Sequence, residues 1–143
     1  MSQYKRKFDV EILTPQGAAA SAQAVSLVLP AADGQLGVLA DRAPLMALLG
    51  AGALRLERAD GSAQAYFVAG GFARVLDGAV TILAEQCVPL ESLSPAQAQR
   101  ELDEANGMPA DDAEAGRRRR SAVEAAKKKL SLARQAHKTQ PAD

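Results

Sequence analysis

The chain has 143 residues, with 17 Lys and Arg against 17 Asp and Glu, so its formal net charge is zero. That balance argues against a general nucleic-acid binder, and 48% hydrophobic residues exclude a globally disordered chain. Aromatics are only 3%, with no Trp, so a core must be built from Leu, Val, Ile and Ala.

The N-terminal stretch carries Lys5, Arg6 and Lys7 with no apolar run behind them, which does not read as a signal peptide or transit peptide. From Phe8 the apolar residues alternate: Phe8, Val10 and Ile12 on one side, Asp9 and Glu11 on the other. Val25, Leu27 and Leu29 repeat the pattern, and Leu54 and Leu56 flank Arg55. A period of two places one face of a strand in a core and the other in water. Pro15-Gln16-Gly17, Asp33-Gly34, Asp60-Gly61 and Asp77-Gly78 interrupt these runs. Asp-Gly favours tight hairpins because both residues tolerate positive φ. Two hairpins are predicted, residues 54–59 with 63–69 and 72–76 with 80–84. The many short strands with close turns over residues 1–90 mean a small antiparallel sandwich or barrel, and of the two an all-β sandwich of about ten short antiparallel strands is expected.

Beyond Leu90 the period changes. Ser94, Pro95 and Gln97 read as a helix start, with Ser94 as cap and Gln97 completing a capping box. Asn106-Gly107 and Pro109 stop that helix. A second helix is predicted from about Ala115 to Lys138, with Gly116 as a soft spot and Val123, Ala126, Leu130 and Ala133 as its apolar stripe. Residues 91–143 thus form an antiparallel two-helix hairpin whose second helix is basic. Its large apolar residues are few (Leu102, Val123 and Leu130), each contributing about 1.5–3 kcal/mol when buried. The expectation is a firm β domain carrying a hairpin that can leave its docked position.

Charge is unevenly placed. Residues 1–93 sum to −2, residues 94–114 to −5 and residues 115–143 to +7. The excess sits in Arg117, Arg118, Arg119, Arg120, Lys127, Lys128, Lys129 and Arg134. A split of this kind marks an interaction segment. The bland alternative is a solvated helix face, partly neutralised by Glu101, Asp103 and Glu104. Four consecutive Arg residues circle a helix and cannot all face one partner, and the tail lacks the aromatics that stack on nucleic acid. Gly34 to Gly37 lack the Lys-Ser/Thr ending of a phosphate-binding loop, and Gly70-Gly71 falls between strand segments. His137 has no neighbours at metal-ligand spacing, and no nucleophile–base pair can be assembled, so neither a metal site nor an enzyme is expected. Cys87 is the one cysteine, which supports a reducing, cytoplasm-like compartment and a role as a small apolar filler.

Three stretches carry a family resemblance. They are Gly34-Gln35-Leu36-Gly37-Val38-Leu39 with Ala43-Pro44-Leu45, Val68-Ala69-Gly70-Gly71-Phe72, and Val80-Thr81-Ile82-Leu83-Ala84-Glu85. With the strand and turn from Val10 to Pro15 and the two-helix tail, their order and spacing resemble the epsilon-subunit family of F-type ATP synthases. One departure is Ala40-Asp41-Arg42, where that family commonly has Pro-Gly-His. The resemblance implies a non-catalytic central-stalk subunit that touches gamma and the ring of c subunits and supports ATP synthesis. It assigns Gly34, Gln35 and Arg42 to a loop facing the ring. It further implies that the eight basic tail residues meet the catalytic beta subunits and inhibit ATP hydrolysis. The implied location is peripheral, without direct membrane insertion, at the cytoplasmic face of a bacterial inner membrane, or at the stromal side of a thylakoid. Family members that bind ATP carry an acid and then Arg-Ala at the start of the first helix. Ser94 and Gln97 replace the acid and the Arg here, so no cofactor is expected. The competing reading is a free-standing β-sandwich interaction module whose basic tail recruits another acidic partner.

Overall fold

The computed structural model describes residues 6–139, so the Met1–Lys5 part of the N-terminal reading lies outside the described residues. The chain divides into two compact units at the Pro89–Leu90 bond.

Among the described residues, the first unit holds ten strands: β1 Phe8–Thr14, β2 Gly17–Ala24, β3 Ser26–Ala31, β4 Gly34–Val38, β5 Leu45–Leu48, β6 Gly52–Glu57, β7 Ala63–Ala69, β8 Phe72–Leu76, β9 Ala79–Leu83 and β10 Gln86–Pro89. They form two five-stranded sheets, in the orders β2-β1-β9-β8-β5 and β10-β7-β6-β3-β4. The alternation read from the sequence becomes the inward face of each sheet. Phe8, Val10 and Ile12 of β1 meet Leu27, Leu29, Leu54, Leu56, Tyr66 and Val68 from the facing sheet in one apolar core. Ala73 is fully buried on β8 beside Val75.

The turns follow their chemistry. Asp77 (φ 49°) and Gly78 (φ 75°) both take positive φ in the two-residue link between β8 and β9, the tight geometry that Asp-Gly favours. One pairing departs from the antiparallel expectation: β1 runs parallel to β9, with Val10 opposite Val80 and Ile12 opposite Ile82. Period two identifies a strand but carries no information about the direction of a neighbour some seventy residues away, so this pairing was not legible in the sequence.

The second unit opens with a short 3-10 turn, Leu90–Ser92, followed by α1 Pro95–Asn106 and α2 Ala113–Thr139. Ser94 is the N-cap of α1, with extended backbone (φ −114°, ψ 123°), and its Oγ accepts the Gln97 backbone N–H at 3.2 Å. Only half of the expected capping box forms. The Gln97 side-chain oxygen instead accepts from Arg100 at 2.7 Å. Gly107 ends α1, donating to Asp103 and Glu104 carbonyls. α2 begins two residues earlier than predicted because the Asp112 side chain accepts the Ala115 N–H at 2.8 Å and satisfies a first-turn donor. At 1.5 Å per residue, α2 is about 40 Å long.

The expected hairpin packing is corrected in detail. Leu130 is buried, but Leu102 and Val123 are only half-buried. The buried positions are chiefly alanines: Ala98 and Ala105 on α1, Ala126 and Ala133 on α2.

Candidate interaction surfaces

The outward face of the first sheet carries an apolar row that the sequence reading did not isolate. Register places Leu48 of β5 opposite Phe72 of β8, Phe72 opposite Leu83 of β9, and Leu83 beside Leu13 of β1. The inward neighbours of these residues, Ala73, Ile82 and Ile12, fill the core, so the row itself points away from it. Met46 lies two residues before Leu48 on the same face, and the two are 64% and 69% exposed. Leu76 and Leu83 are also exposed. Scattered exposed leucines are ordinary, but a row that continues across four strands is an interaction surface in the making. β1 and β9 each contribute one large apolar residue on their polar side and β8 and β5 two each, and only the ladder register aligns Leu13, Leu83, Phe72 and Leu48.

The residues assigned to a ring-facing loop are exposed but do not share one loop. Gly34 (φ 135°) begins β4 and Gln35 pairs with Pro30. Arg42 lies past the far end of that strand, where its N–H donates to the Leu39 carbonyl at 3.0 Å. Val38 lies four steps along the strand from Gly34, about 13 Å, so β4 holds the two regions apart. Gly34 follows the Ala32-Asp33 turn, whose Ala32 N–H donates to the Leu48 carbonyl at 2.9 Å. The turn therefore adjoins the Leu48 end of the apolar row. Arg42 instead borders an open hollow with Leu39 and Asp41.

The eight basic residues singled out on α2 divide into three environments. Arg117, Arg118, Arg120, Lys127, Lys128 and Arg134 are exposed and Arg119 is half-buried. Arg118 has a solvent-exposed contact with Glu114 at 3.5 Å, of a kind that contributes about 0–1 kcal/mol. Arg117, Arg119, Arg120 and Lys127 border an open hollow of about 730 Å³ beside Glu124. Lys129 differs from all of these. It is buried, and its Nζ lies 3.0 Å from Oε1 and 2.9 Å from Oε2 of Glu101 on α1. The signal was available in the spacing: Lys129 falls three residues after Ala126 and four before Ala133, inside the apolar stripe.

Cys87 is half-buried, and burial pushes its thiol up from the ordinary range. No helix among the described residues is long and apolar enough to cross a membrane.

Comparison with known proteins decides the family. Residues 7–90 match the model of the ATP synthase delta/epsilon chain β-sandwich domain. The ATP synthase epsilon chain of Rhodopirellula baltica is 37% identical over 123 residues, covering 86% of this chain and 95% of that one. The chain belongs to the ATP synthase epsilon-chain family. The epsilon chain of Rhizobium rhizogenes is 35% identical over 98 residues, 68% of this chain and 73% of the relative. The fold also recurs in solved structures. A chain in the cryo-EM structure of Euglena gracilis mitochondrial ATP synthase (OSCP/F1/c-ring) superposes with a TM-score of 0.70 at 24% identity, covering 85% of this chain and 78% of that one. One in the central stalk and c-ring of the Tetrahymena thermophila mitochondrial enzyme gives 0.65 at 18% identity, covering 88% and 98%. The sandwich-then-hairpin order read from this epsilon-family chain therefore stands.

Proposed function

We propose that this chain is a non-catalytic rotor subunit of the ATP synthase central stalk, joining gamma to the c-ring and restraining ATP hydrolysis through its C-terminal helices. Family membership supports the general role, and one feature carries the coupling role: the outward row of Leu13, Leu83, Phe72 and Leu48. A row of apolar side chains without charge, held on the ladder of one sheet, suits the desolvated centre of a protein–protein interface. Gamma is the partner assigned to this row. The Asp33-Gly34 turn beside its Leu48 end, together with Gln35, is assigned to the ring.

The tail is assigned the inhibitory role. Its exposed cations, Arg117, Arg118, Arg120, Lys127, Lys128 and Arg134, suit an acidic surface on the catalytic beta subunits, with an attraction that weakens as salt screens it. Ser94 and Gln97 stand where ATP-binding relatives carry an acid and an Arg, so ATP is not assigned as a ligand. The subunit is placed at the cytoplasmic face of the membrane, held there by its partners.

The experiment is a gamma pull-down with Leu48→Arg and Leu83→Arg single and double variants. Each leucine is exposed, so the sandwich should fold unchanged. Each substitution loses the part of a leucine's burial that the partner can still add, about 2 kcal/mol for the two sites together, so the double variant should bind about 30-fold more weakly. Wild-type recovery of gamma by the folded double variant would refute the assignment of this face. In a second arm, a chain ending at Leu90 should still recover gamma, while the assembled enzyme hydrolyses ATP faster. Unchanged hydrolysis removes the brake from the account.

A further inference from the structure

Among the described residues, Lys129 is the one charged side chain that is buried, at 9% exposure, and it lies within an otherwise apolar stripe. Its ammonium sits between the two carboxylate oxygens of Glu101, a residue 28 positions earlier on the other helix of the hairpin. The face of α1 that carries Glu101 also carries Ala98 and Ala105, three residues before and four after it. On α2, Lys129 stands between Ala126 and Ala133, next to Leu130, and all three are buried. Alanines offer little apolar area, so the hairpin's most specific attachment between its helices is ionic. Once desolvated, an ion pair of this kind is costly to break on one side only, because the abandoned charge remains in a poorly hydrated site.

We infer that Glu101 and Lys129 form a catch that holds α1 against α2, and that releasing it adds Lys129 to the cationic surface of α2. Lys127 and Lys128 are already exposed beside it. In the closed hairpin one of three consecutive ammonium groups is neutralised by Glu101. In the open hairpin Glu101 regains water and all three lysines are available to an acidic partner. Lys129 thus reports the state of the hairpin: bound to Glu101 when closed, presented to carboxylates elsewhere when open. The second half of this inference rests on the inhibitory role proposed above. Because the pair is largely out of solvent, salt should affect it less than the exposed arginines, so closure and docking respond differently to ionic strength.

The test uses the full-length chain and hydrogen exchange of the α2 amides, with the amides of β1 and β9 as an internal reference. Lys129→Glu, Glu101→Lys and Glu101→Gln should each speed α2 exchange about tenfold, leaving the reference strands unchanged. The reversed pair, Glu101→Lys with Lys129→Glu, should bring exchange back to within about threefold of wild type. Wild-type exchange in the single variants, or a reversed pair as fast as the singles, would overturn the catch. A second arm assembles Glu101→Gln, which keeps every cation, into the whole enzyme. ATP hydrolysis should fall below the wild-type rate as more hairpins open. If α2 exchange accelerates while hydrolysis stays at wild type, the catch stands and the inhibitory reading is refuted.

Discussion

Replacing Gly71 by alanine would place a Cβ where backbone already lies. Gly71 joins β7 to β8 with φ at 91°, a conformation that costs an L-residue about 1–2 kcal/mol on its own. The added carbon would stand 1.7 Å from the Leu83 carbonyl oxygen, 2.8 Å from its carbon and 3.2 Å from the Ala84 Cα. These are backbone atoms, so no rotamer change relieves the overlap, and β8 must move away from β9. That movement strains the Phe72–Leu83 pairing and the hydrogen bond from the Leu49 N–H to the Gly71 carbonyl, with each lost bond worth about 1 kcal/mol. Together these effects give a destabilisation of about 3–5 kcal/mol, at the severe end for a point change. For a unit of this size the melting temperature should fall by roughly 15–30 °C. Gly78→Ala is the control. It has a similar positive φ, 75°, but nothing within 4 Å of the added Cβ, so only the conformational cost remains. It should lower Tm by roughly 5–15 °C. Thermal unfolding of the full-length variants followed by circular dichroism makes the comparison. A Gly71→Ala melting curve that overlays that of Gly78→Ala would refute the packing argument.

Two further outcomes concern the tail and the thiol. Ser94→Ala removes the one side-chain acceptor at the start of α1, costing about 1 kcal/mol. Exchange of the first-turn amides around Gln97 should quicken about fivefold, with the sheet unaffected, and no change there would mean that the cap is idle. Cys87, whose thiol burial pushes upward, should react with Ellman's reagent at pH 8 more slowly than a free cysteine. Its folded pKa lies above its unfolded one, so its contribution to stability is complete below the unfolded value and is lost as pH rises through the folded one. Cys87→Ala should flatten that alkaline decline. Equal reactivity of native and unfolded protein would contradict the burial effect.

The sequence alone determined whatever rests on neighbours a few residues apart. Alternation marked β1 and β6, Asp77-Gly78 marked the β8–β9 hairpin, and Ser94, Pro95 and Gly107 bounded α1, because strand pleat, turn φ and capping act within a few positions. The cationic character of α2 was equally plain from composition. Tertiary structure decided what depends on partners distant along the chain. The parallel pairing of β1 with β9, the alignment of Leu13, Leu83, Phe72 and Leu48 into one row, and the separation of Gly34 from Arg42 all follow from sheet order and register. No local preference encodes these, since a strand presents the same alternation whichever neighbour it takes. Lys129 shows the boundary between the two: its charge read as one more docking cation although its spacing fits the apolar stripe, and only the packing of α1 against α2 supplied the carboxylate that makes burial tolerable.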